Sequence, residues 1–263
     1  MTQNSILFFD SGIGGLSLFR ESRILLPYNS FIYIADDKAF PYGNWQQDDL
    51  KQHLLELFAQ LFSKFDCKYI VIACNTASMV ALNELRETYP EKVFIGTIPA
   101  IKVAAERTKS LNISVLATPI TINRSSTQQL IKDFAQNIHV NLVGSAKLAA
   151  LAESYLKGIE IDKDILKQEL SPVFTVIDNR KTDIVVLACT HYPFLLNFFR
   201  ECAAWPVDWI DPSTAIAQKL KRLFKNNHNH IRESKDIFSL TSKNVSFLSK
   251  RLFQAFGLEY QDI

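Results

Sequence analysis

The sequence predicts an α/β protein with two similar open parallel-sheet domains and a functional cleft between them. Short apolar runs that lack strict alternation are typical of strands buried on both faces of a parallel sheet. Amphipathic helical stretches lie between these runs, so strand and helix alternate along the chain. Two segments in different halves of the chain also resemble each other, which indicates two related domains.

Eight apolar runs predict the strands. Each is rich in Ile, Val, Phe or Tyr and ends abruptly in small or polar residues. In chain order they are Ser5–Phe9, Phe31–Ile34, Tyr69–Ala73, Val93–Ile95, Ile113–Leu116, Val140–Val143, Ile184–Ala188 and Val207–Ile210.

Six stretches between the strands have helical periodicity. The clearest is 48–65, where apolar side chains form one stripe and Asp48 and Asp49 at the start suit the helix dipole. The stripe consists of Leu50, Leu54, Leu57, Phe58, Leu61, Phe62 and Phe65. The other predicted helices are 78–89, 101–109, 127–136, 146–156 and 215–224.

The internal similarity joins residues 66–78, which read DCKYIVIACNTAS, and residues 182–193, which read TDIVVLACTHYP. Each is a strand that runs into Ala-Cys, at Cys74 in the first segment and at Cys189 in the second. We therefore expect two halves with a break near Ile98-Pro99. Because ligands of open α/β sheets bind at the carboxyl ends of the strands, both cysteines should face a shared cleft.

Composition indicates a globular cytoplasmic protein. The chain has 263 residues, 48% apolar and 21% charged, and its net charge of +2 gives no global electrostatic case for nucleic acid. No apolar run approaches the roughly 20 residues of a membrane span, and the N-terminus lacks the pattern of a secretory signal. Four cysteines are too few for a disulfide scaffold, so we expect reduced thiols.

The first predicted strand runs into the glycine-rich loop Asp10–Gly15. Glycines after a strand let backbone N–H groups approach an anion, and the next helix N-terminus adds positive potential. Ser17 occupies the place of the third glycine of a dinucleotide site, which disfavours a nucleotide. A small carboxylate ligand fits better, and a tight turn without a ligand is the alternative.

Cys74 and Cys189 differ from an ordinary buried cysteine because each ends an apolar strand and begins a turn into a helix. A helix N-terminus stabilises a thiolate, so we expect a lowered thiol pKa. Asn75-Thr76 and Thr190-His191 follow directly and could hold a carboxylate beside the sulfur. Neither cysteine belongs to a C-x-x-C pair, and the four cysteines lack zinc-finger spacing.

Two matched thiols from two halves suit a reaction that moves a proton from one face of a carbon to the other. One thiolate can act as the base while the other thiol acts as the acid, and the roles exchange with the direction of reaction. The unperturbed thiol pKa of about 8.5 is within reach of neutral pH. The pattern therefore indicates a racemase.

Four segments resemble the signature segments of the glutamate racemase family, within the aspartate/glutamate racemase superfamily. They are DSGIGGLS from Asp10, ADDKAFPYG from Ala35, ACNTAS from Ala73 and ACTHYP from Ala188. Their order and spacing match, and the resemblance covers nearly the whole chain. The pattern Asp-x4-Pro-Tyr-Gly, here 36–43, favours glutamate racemase within the superfamily.

This resemblance implies a cofactor-independent enzyme that interconverts L- and D-glutamate and supplies D-glutamate for peptidoglycan. It implies domains of residues 1–97 plus 209–263 and of residues 98–208, with the active site between them. By motif, Cys74 removes the α-proton of D-glutamate and Cys189 that of L-glutamate. The other implied catalytic residues are Asp10, Asp36, Glu153 and His191. The implied substrate-binding residues are Asp10, Ser11, Tyr42, Gly43, Asn75, Thr76, Thr190 and His191, with no metal ligand.

The second half departs from the family pattern in two places. Register alone matches Glu153, so a solvated helix carboxylate is the alternative reading of this residue. Arg124 and Thr127 stand where the family commonly has Ser and Tyr, and Arg124 could alter the local packing or an interface. Thr118 and Thr121 are further candidate substrate contacts.

Three functions stay open. Besides glutamate racemisation, a superfamily enzyme could use aspartate or decarboxylate its substrate, although decarboxylase relatives use one cysteine. The third is a non-catalytic binder of an acidic small molecule or of a macromolecule. We expect a small-molecule substrate and neither a membrane nor a nucleic acid as partner, with the oligomeric state open and a homodimer one option.

The segment 219–251 is basic, with nine Lys or Arg and two acidic residues. A solvated helix face is one reading, and a weak site for an anionic partner is the other. Inhibition of DNA gyrase, reported for some members of the family, is the side role that such a feature could hint at. His228 and His230 lie in its polar stretch KNNHNH, where we expect a loop rather than a metal site.

Overall fold

The computed structural model describes residues 5–224 and 234–262, so His228 and His230 lie outside the described residues. These residues form an α/β fold with two parallel sheets, as predicted. Each of the eight predicted strands and six predicted helices is present, with ends shifted by a few residues.

The strands of the described residues are, in chain order, β1 Ile6–Asp10, β2 Phe31–Ala35, β3 Tyr69–Ile72, β4 Val93–Gly96, β5 Asn112–Ala117, β6 His139–Gly144, β7 Val176–Ile177, β8 Arg180–Lys181, β9 Ile184–Ala188, β10 Asp208–Ile210, β11 Ile237–Leu240 and β12 Glu259–Tyr260. The helices are α1 Leu16–Leu25, α2 Gln47–Lys64, α3 Asn75–Thr88, α4 Ile101–Arg107, α5 Pro119–Ile122, α6 Ser125–Phe134, α7 Leu148–Leu156, α8 Lys163–Leu170, α9 Leu196–Cys202, α10 Ser213–Leu223 and α11 Phe247–Ala255.

Two parallel sheets organise the fold. The first has the strand order β12-β11-β2-β1-β3-β4, and the second has the order β10-β9-β5-β6. Strands β7 and β8 form a separate antiparallel hairpin. In a parallel sheet all carboxyl ends lie at one edge, so the segments that follow the strands of each sheet are brought together.

Helices cover both faces of each sheet, and this explains why the strands are apolar throughout. Every residue of β1, β2, β5 and β9 is buried. On one face of the first sheet, the core joins strand residues such as Phe8 to Phe19 of α1 and Leu220 of α10. On the other face, the core joins Phe9 to Phe58 of α2 and Leu85 of α3.

The basic segment 219–251 is only partly the solvated helix face that its composition suggested. It contains β11, whose four residues are buried and pair with β2 in the first sheet. The run Ile237–Leu240 is too short and too close to charged residues to stand out in the sequence. Because it inserts beside β2, the chain returns to the first sheet after completing the second.

The division into domains stays a prediction, and sheet membership bears on its boundaries. The first sheet takes its strands from residues 6–96 and 237–260, and the second takes its strands from residues 112–210. Strand β10 pairs with β9 of the second sheet, whereas the sequence assigned residues from 209 onward to the first domain. A boundary drawn from the sheets would fall after residue 210.

No helix of the described residues is long and apolar enough to cross a membrane.

Helix α11 provides a test of how firmly the C-terminal segment is attached. Phe253 is fully buried, stacks on Phe238 with ring centroids 4.1 Å apart and contacts Tyr33, whereas Phe247 of the same helix is 72% exposed. We expect Phe253→Ala to lower the free energy of unfolding by about 3–5 kcal/mol. Phe247→Ala should cost less than about 0.5 kcal/mol. Both unfolding free energies are measured in urea. Equal losses in the two variants would show that the packing of Phe253 against the first sheet does not stabilise the protein.

Candidate active site

Four strand ends bring the candidate residues together. Asp10 ends β1 and Ser11 follows it, Cys74 lies between β3 and α3, Thr118 follows β5, and Cys189 follows β9. Cys74 is the N-cap of α3, where its sulfur accepts a hydrogen bond from the backbone N–H of Ala77 at 3.5 Å. Two strand ends of the first sheet therefore meet two of the second.

One pocket lies between these strand ends, and both cysteines line it. Ten predicted residues form part of its lining: Ser11, Tyr42, Gly43, Cys74, Asn75, Thr76, Thr118, Cys189, Thr190 and His191. Four predicted residues do not line it: Asp10, Asp36, Thr121 and Glu153. The structure thus places the thiols and polar donors at the pocket surface and the three carboxylates behind it.

The surroundings of Cys74 contradict the expected lowering of its thiol pKa. Burial, followed by the nearby charge of Asp10, raises the pKa of Cys74 to about 12. The hydrogen bond from the N–H of Ala77 and the hydroxyl of Ser11, 3.7 Å from the sulfur, oppose the increase. Cys74 does lie at a helix N-terminus, as predicted, but the loss of solvation raises its pKa by more than the hydrogen bonds there lower it.

Cys189 belongs to a chain of contacts that continues into α7. His191 Nδ1 lies 3.7 Å from the Cys189 sulfur, and His191 Nε2 lies 3.0 Å from Oε1 of Glu153. Burial would lower the pKa of His191, but the hydrogen bonds and charges of Cys189 and Glu153 raise it well above its usual range. The protonated imidazole is thus favoured where Cys189 and Glu153 carry negative charge.

Glu153 is not the solvated helix carboxylate that the sequence left as an alternative. It is 8% exposed, and its Oε1 also accepts a hydrogen bond from the N–H of Ile13 at 2.8 Å. Lys157, one helical turn later, lies 3.1 Å from its Oε2. Burial would raise the pKa of Glu153, but His191, Ile13 and Lys157 outweigh it and lower this pKa to about 2.

Asp10, at the end of β1, connects the two sheets through its hydrogen bonds. Its Oδ1 accepts from the N–H of Gly12, and its Oδ2 accepts from the hydroxyl of Thr190, both at 3.0 Å. Burial raises the pKa of Asp10 to about 6, although His191 and the hydrogen bonds from Thr190 and Gly12 oppose the shift. Asp10 is therefore a buried carboxylate close to both thiol-bearing turns.

The glycine loop has a different role from the one its composition suggested. Its N–H groups at Gly12 and Ile13 bind carboxylates of the protein itself, those of Asp10 and Glu153. A Cβ at Gly14 would lie 2.5 Å from both Nδ1 of His191 and the hydroxyl of Thr190, closer than real Cβ contacts allow. Among the loop residues, Ser11 contributes to the pocket lining.

Asp36 lies outside the pocket lining, directly after β2 of the first sheet. Its Oδ2 accepts hydrogen bonds from the hydroxyl of Tyr42 at 2.5 Å and from Nε2 of His53 at 2.6 Å, and its Oδ1 accepts from Thr241 at 2.5 Å. Burial would raise the pKa of Asp36, but the hydrogen bonds from His53, Thr241 and Tyr42 lower it. Asp36 is connected to the pocket by its hydrogen bond with Tyr42, which belongs to the lining.

Three threonine hydroxyls link the two sheets on the other side of the pocket. The Thr76 hydroxyl lies 2.9 Å from that of Thr118 and 3.3 Å from that of Thr121, and those two are 3.0 Å apart. The amide of Asn75 is buried, and neither its nitrogen nor its oxygen has a hydrogen-bond partner. Asn75 is thus a polar group of the lining available to a ligand.

Arg124 and Thr127 have structural contacts in the second half. The Thr127 hydroxyl donates to the carbonyl of Thr121 at 2.6 Å and so supports the threonine cluster. Arg124 makes a long hydrogen bond of 3.4 Å to Ser126, and its buried Nη1 has no hydrogen-bond partner. The departure from the family pattern at Arg124 therefore affects the packing at the start of α6.

Sequence reasoning missed several lining residues: Phe40, Pro41, Asn44, Ser145, Ala146 and Ala149. Ser145 could have been found, because it follows β6 as Cys189 follows β9. Phe40 contacts the ring of His191, with ring centroids 5.3 Å apart. That contact joins a loop of the first sheet to a turn of the second, and no local pattern reveals it.

Among the described residues, the pocket lining contains hydroxyls, amides and backbone N–H groups but no Lys or Arg. Helix N-termini and neutral donors of this kind bind carboxylates. Within residues 5–224 and 234–262, no group of three or more His, Cys, Asp or Glu could hold a metal ion. The lining therefore offers hydrogen-bond donors for a carboxylate group beside two thiols.

Comparison with known proteins agrees with this arrangement. Residues 29–220 match the family Asp/Glu/Hydantoin racemase. The chain is 49% identical over 263 residues to the glutamate racemase of Bartonella tribocorum, covering 98% of this chain and 96% of that protein. It is 50% identical over 260 residues to the glutamate racemase of Bartonella quintana, with the same coverage.

A solved structure supports the same assignment. The glutamate racemase of Escherichia coli, in complex with L-glutamate and the activator UDP-MurNAc-Ala, superposes with a TM-score of 0.89 at 32% identity. The match covers 99% of this chain and 98% of that one. The resemblance to glutamate racemase is thereby confirmed, and the chain belongs to the Asp/Glu/Hydantoin racemase family, whose members are isomerases.

Proposed function

We propose that this protein interconverts L- and D-glutamate by a two-thiol proton transfer. The observation that carries the proposal is the shared pocket, in which Cys74 from one sheet and Cys189 from the other line a single space. A racemase must remove a proton from one face of a carbon and deliver one to the opposite face. Two acid–base groups do this without any rotation of the substrate.

In the direction from D-glutamate, Cys74 acts as the base. The α C–H bond breaks, the proton passes to the Cys74 thiolate, and its electron pair stays on the α-carbon. Cys189, as a thiol, gives its proton to the opposite face and becomes a thiolate. In the direction from L-glutamate the two thiols exchange these roles.

Different partners assist the two thiols. The imidazolium of His191 stabilises the thiolate of Cys189, and Glu153 holds that imidazolium in place. Asp10 and Ser11 adjoin Cys74, whose raised pKa makes its thiolate costly to form. The ammonium group of the substrate would bring a positive charge to this site, which favours the thiolate.

Glutamate as the substrate is supported by the relatives and by the lining. The Bartonella relatives bear the name glutamate racemase, and the Escherichia coli relative was solved with L-glutamate. The substrate carboxylates would accept hydrogen bonds from Ser11, Gly43, Asn75, Thr76 and Thr190. A far better turnover of aspartate would point instead to another member of the family.

We propose a cofactor-independent enzyme of the cytoplasm that supplies D-glutamate for peptidoglycan synthesis and cell shape. We also propose that residues 1–97 plus 209–263 and residues 98–208 form the two domains around the site, with the second boundary subject to the pairing of β10.

The proposed activity is tested with D-glutamate in deuterium oxide, without pyridoxal phosphate, nucleotide or metal. We expect the circular dichroism signal to decay to zero while the α-carbon gains deuterium, because the incoming proton comes from the solvent-exchanged thiol. Dialysis against a chelator should not change the rate. Activity that returned only with added metal would contradict the proposal.

The division of labour between the thiols is tested with Cys74→Ser and Cys189→Ser. Serine is nearly isosteric but a far weaker acid, so each variant should lose about 10²–10⁴-fold in racemisation in both directions. β-Elimination from a glutamate analogue with a leaving group at the β-carbon needs only one base. Cys74→Ser should keep elimination from the L-analogue, and Cys189→Ser from the D-analogue. The same enantiomer preference in both variants would refute the assignment.

The role of Glu153 is tested with Glu153→Gln, which keeps the shape and removes the charge. The pKa of His191 should fall toward its usual range, because Glu153 is one of the two groups that raise it. Turnover of L-glutamate should fall, since Cys189 loses part of the neighbouring positive charge. NMR titration of the imidazole measures the pKa, and Glu160→Gln on an exposed position is the control. An unchanged His191 titration would contradict the coupling.

A further inference from the structure

We infer that His53, on α2, positions the substrate-binding turn Tyr42–Asn44 through a hydrogen bond to Asp36. This inference rests on the proposed function for its kinetic consequence. His53 and Asp36 both lie outside the pocket lining, whereas Tyr42, Gly43 and Asn44 belong to it. His53 is therefore a positioning residue and not a catalytic one.

The carboxylate of Asp36 is the junction of this arrangement. One of its oxygens, Oδ2, accepts both from the hydroxyl of Tyr42 and from Nε2 of His53. Asp36 is 1% exposed and Tyr42 is 2% exposed, so neither side chain has solvent as an alternative partner. A change at His53 therefore acts on the same oxygen that holds the Tyr42 ring.

The imidazole of His53 also contacts the far end of the turn. Its ring lies against that of Trp45, with centroids 5.2 Å apart and an interplanar angle of 35°. Trp45 Nε1 donates to the carbonyl of Ala39 at 2.9 Å, which closes the loop around Tyr42. His53 also contacts the ring of Tyr42, with centroids 6.2 Å apart. It therefore holds the turn by a hydrogen bond through Asp36 and by ring contacts with Trp45 and Tyr42.

The position of the turn matters because it closely approaches the other sheet. A Cβ at Gly43 would lie 2.8 Å from Cβ of Thr118, so Gly43 and Thr118 have no spare room between them. Thr118 belongs to the hydroxyl cluster with Thr76. A small displacement of the turn would alter both walls of the pocket and so weaken the hydrogen bonds that hold the substrate.

Two substitutions separate the hydrogen bond from the ring contact. His53→Phe keeps a ring against Trp45 and removes the donor to Asp36, whereas His53→Gln keeps an N–H donor and removes the ring. We expect His53→Phe to raise KM for D-glutamate about tenfold and to change kcat less than about threefold. His53→Gln should stay within about twofold of the wild type in both constants. His139→Phe, at an exposed position of β6, is the control.

A second measurement does not depend on racemisation. The N–H groups of Asn44 and Trp45 donate within the turn to the carbonyls of Pro41 and Tyr42. His53→Phe should speed hydrogen exchange at these two amides about tenfold, while His53→Gln and His139→Phe should not. A wild-type protein without racemase activity would refute the proposed function, and the exchange data would still decide the role of His53.

The inference has clear contrary outcomes. A raised KM in His53→Gln together with a normal KM in His53→Phe would assign the effect to the ring contact and overturn the role of the hydrogen bond. Tyr42→Phe removes the other hydrogen bond to the same oxygen and should raise KM similarly. If the effects of Tyr42→Phe and His53→Phe multiply in the double variant, the two residues act independently and the inference fails.

Discussion

The site depends on one close approach, that of the turn after β9 to the glycine loop after β1. A single oxygen of Glu153 accepts from the N–H of Ile13 in one sheet's loop and faces Nε2 of His191 in the other sheet's turn. Asp10 makes the reverse connection by accepting from Thr190. These crossed contacts bury charge, and removal of one partner from such a pair is costly because the other charge is left uncompensated. These contacts therefore fix the position of the two sheets relative to each other across the pocket.

The distribution of charge follows from the same packing. Asp10, Asp36 and Glu153 are all buried behind the lining, and each is held by several hydrogen-bond donors. Carboxylates at the pocket surface would repel a dicarboxylate substrate, whereas hydroxyls and N–H groups attract one. The retracted carboxylates fix the orientation of Tyr42, Thr190 and His191, which do reach the surface. Charge is thus used to position donors rather than to contact the ligand.

The fold and the lining were largely predictable, because strand ends and the two similar Cys segments are local patterns. The sequence did not reveal β11, which is short and lies in the basic segment 219–251, or the two-residue strands β7, β8 and β12. It also left Glu153 ambiguous, since the hydrogen bond to Ile13 joins residues 140 apart in the chain. The expected low pKa of Cys74 was wrong. The sequence indicates that Cys74 begins a helix, but it does not reveal that the thiol is buried beside Asp10.

The topology explains why the similar segments carry the thiols. In the first sheet, β2 lies on one side of β1 and the next strand in the chain, β3, lies on the other side. In the second sheet, β6 and β9 flank β5 in the same way. A crevice forms at such a reversal of strand order, and in each sheet the cysteine follows the strand that completes it.

The loop of the neighbouring strand supplies different polar groups in the two sheets, Asp10 and Ser11 after β1 but Thr118 after β5. Cys189 instead takes His191 from its own turn and Glu153 from α7. The two halves therefore offer matched thiols in unmatched electrostatic surroundings, and in the proposed mechanism each thiol serves one face of the substrate.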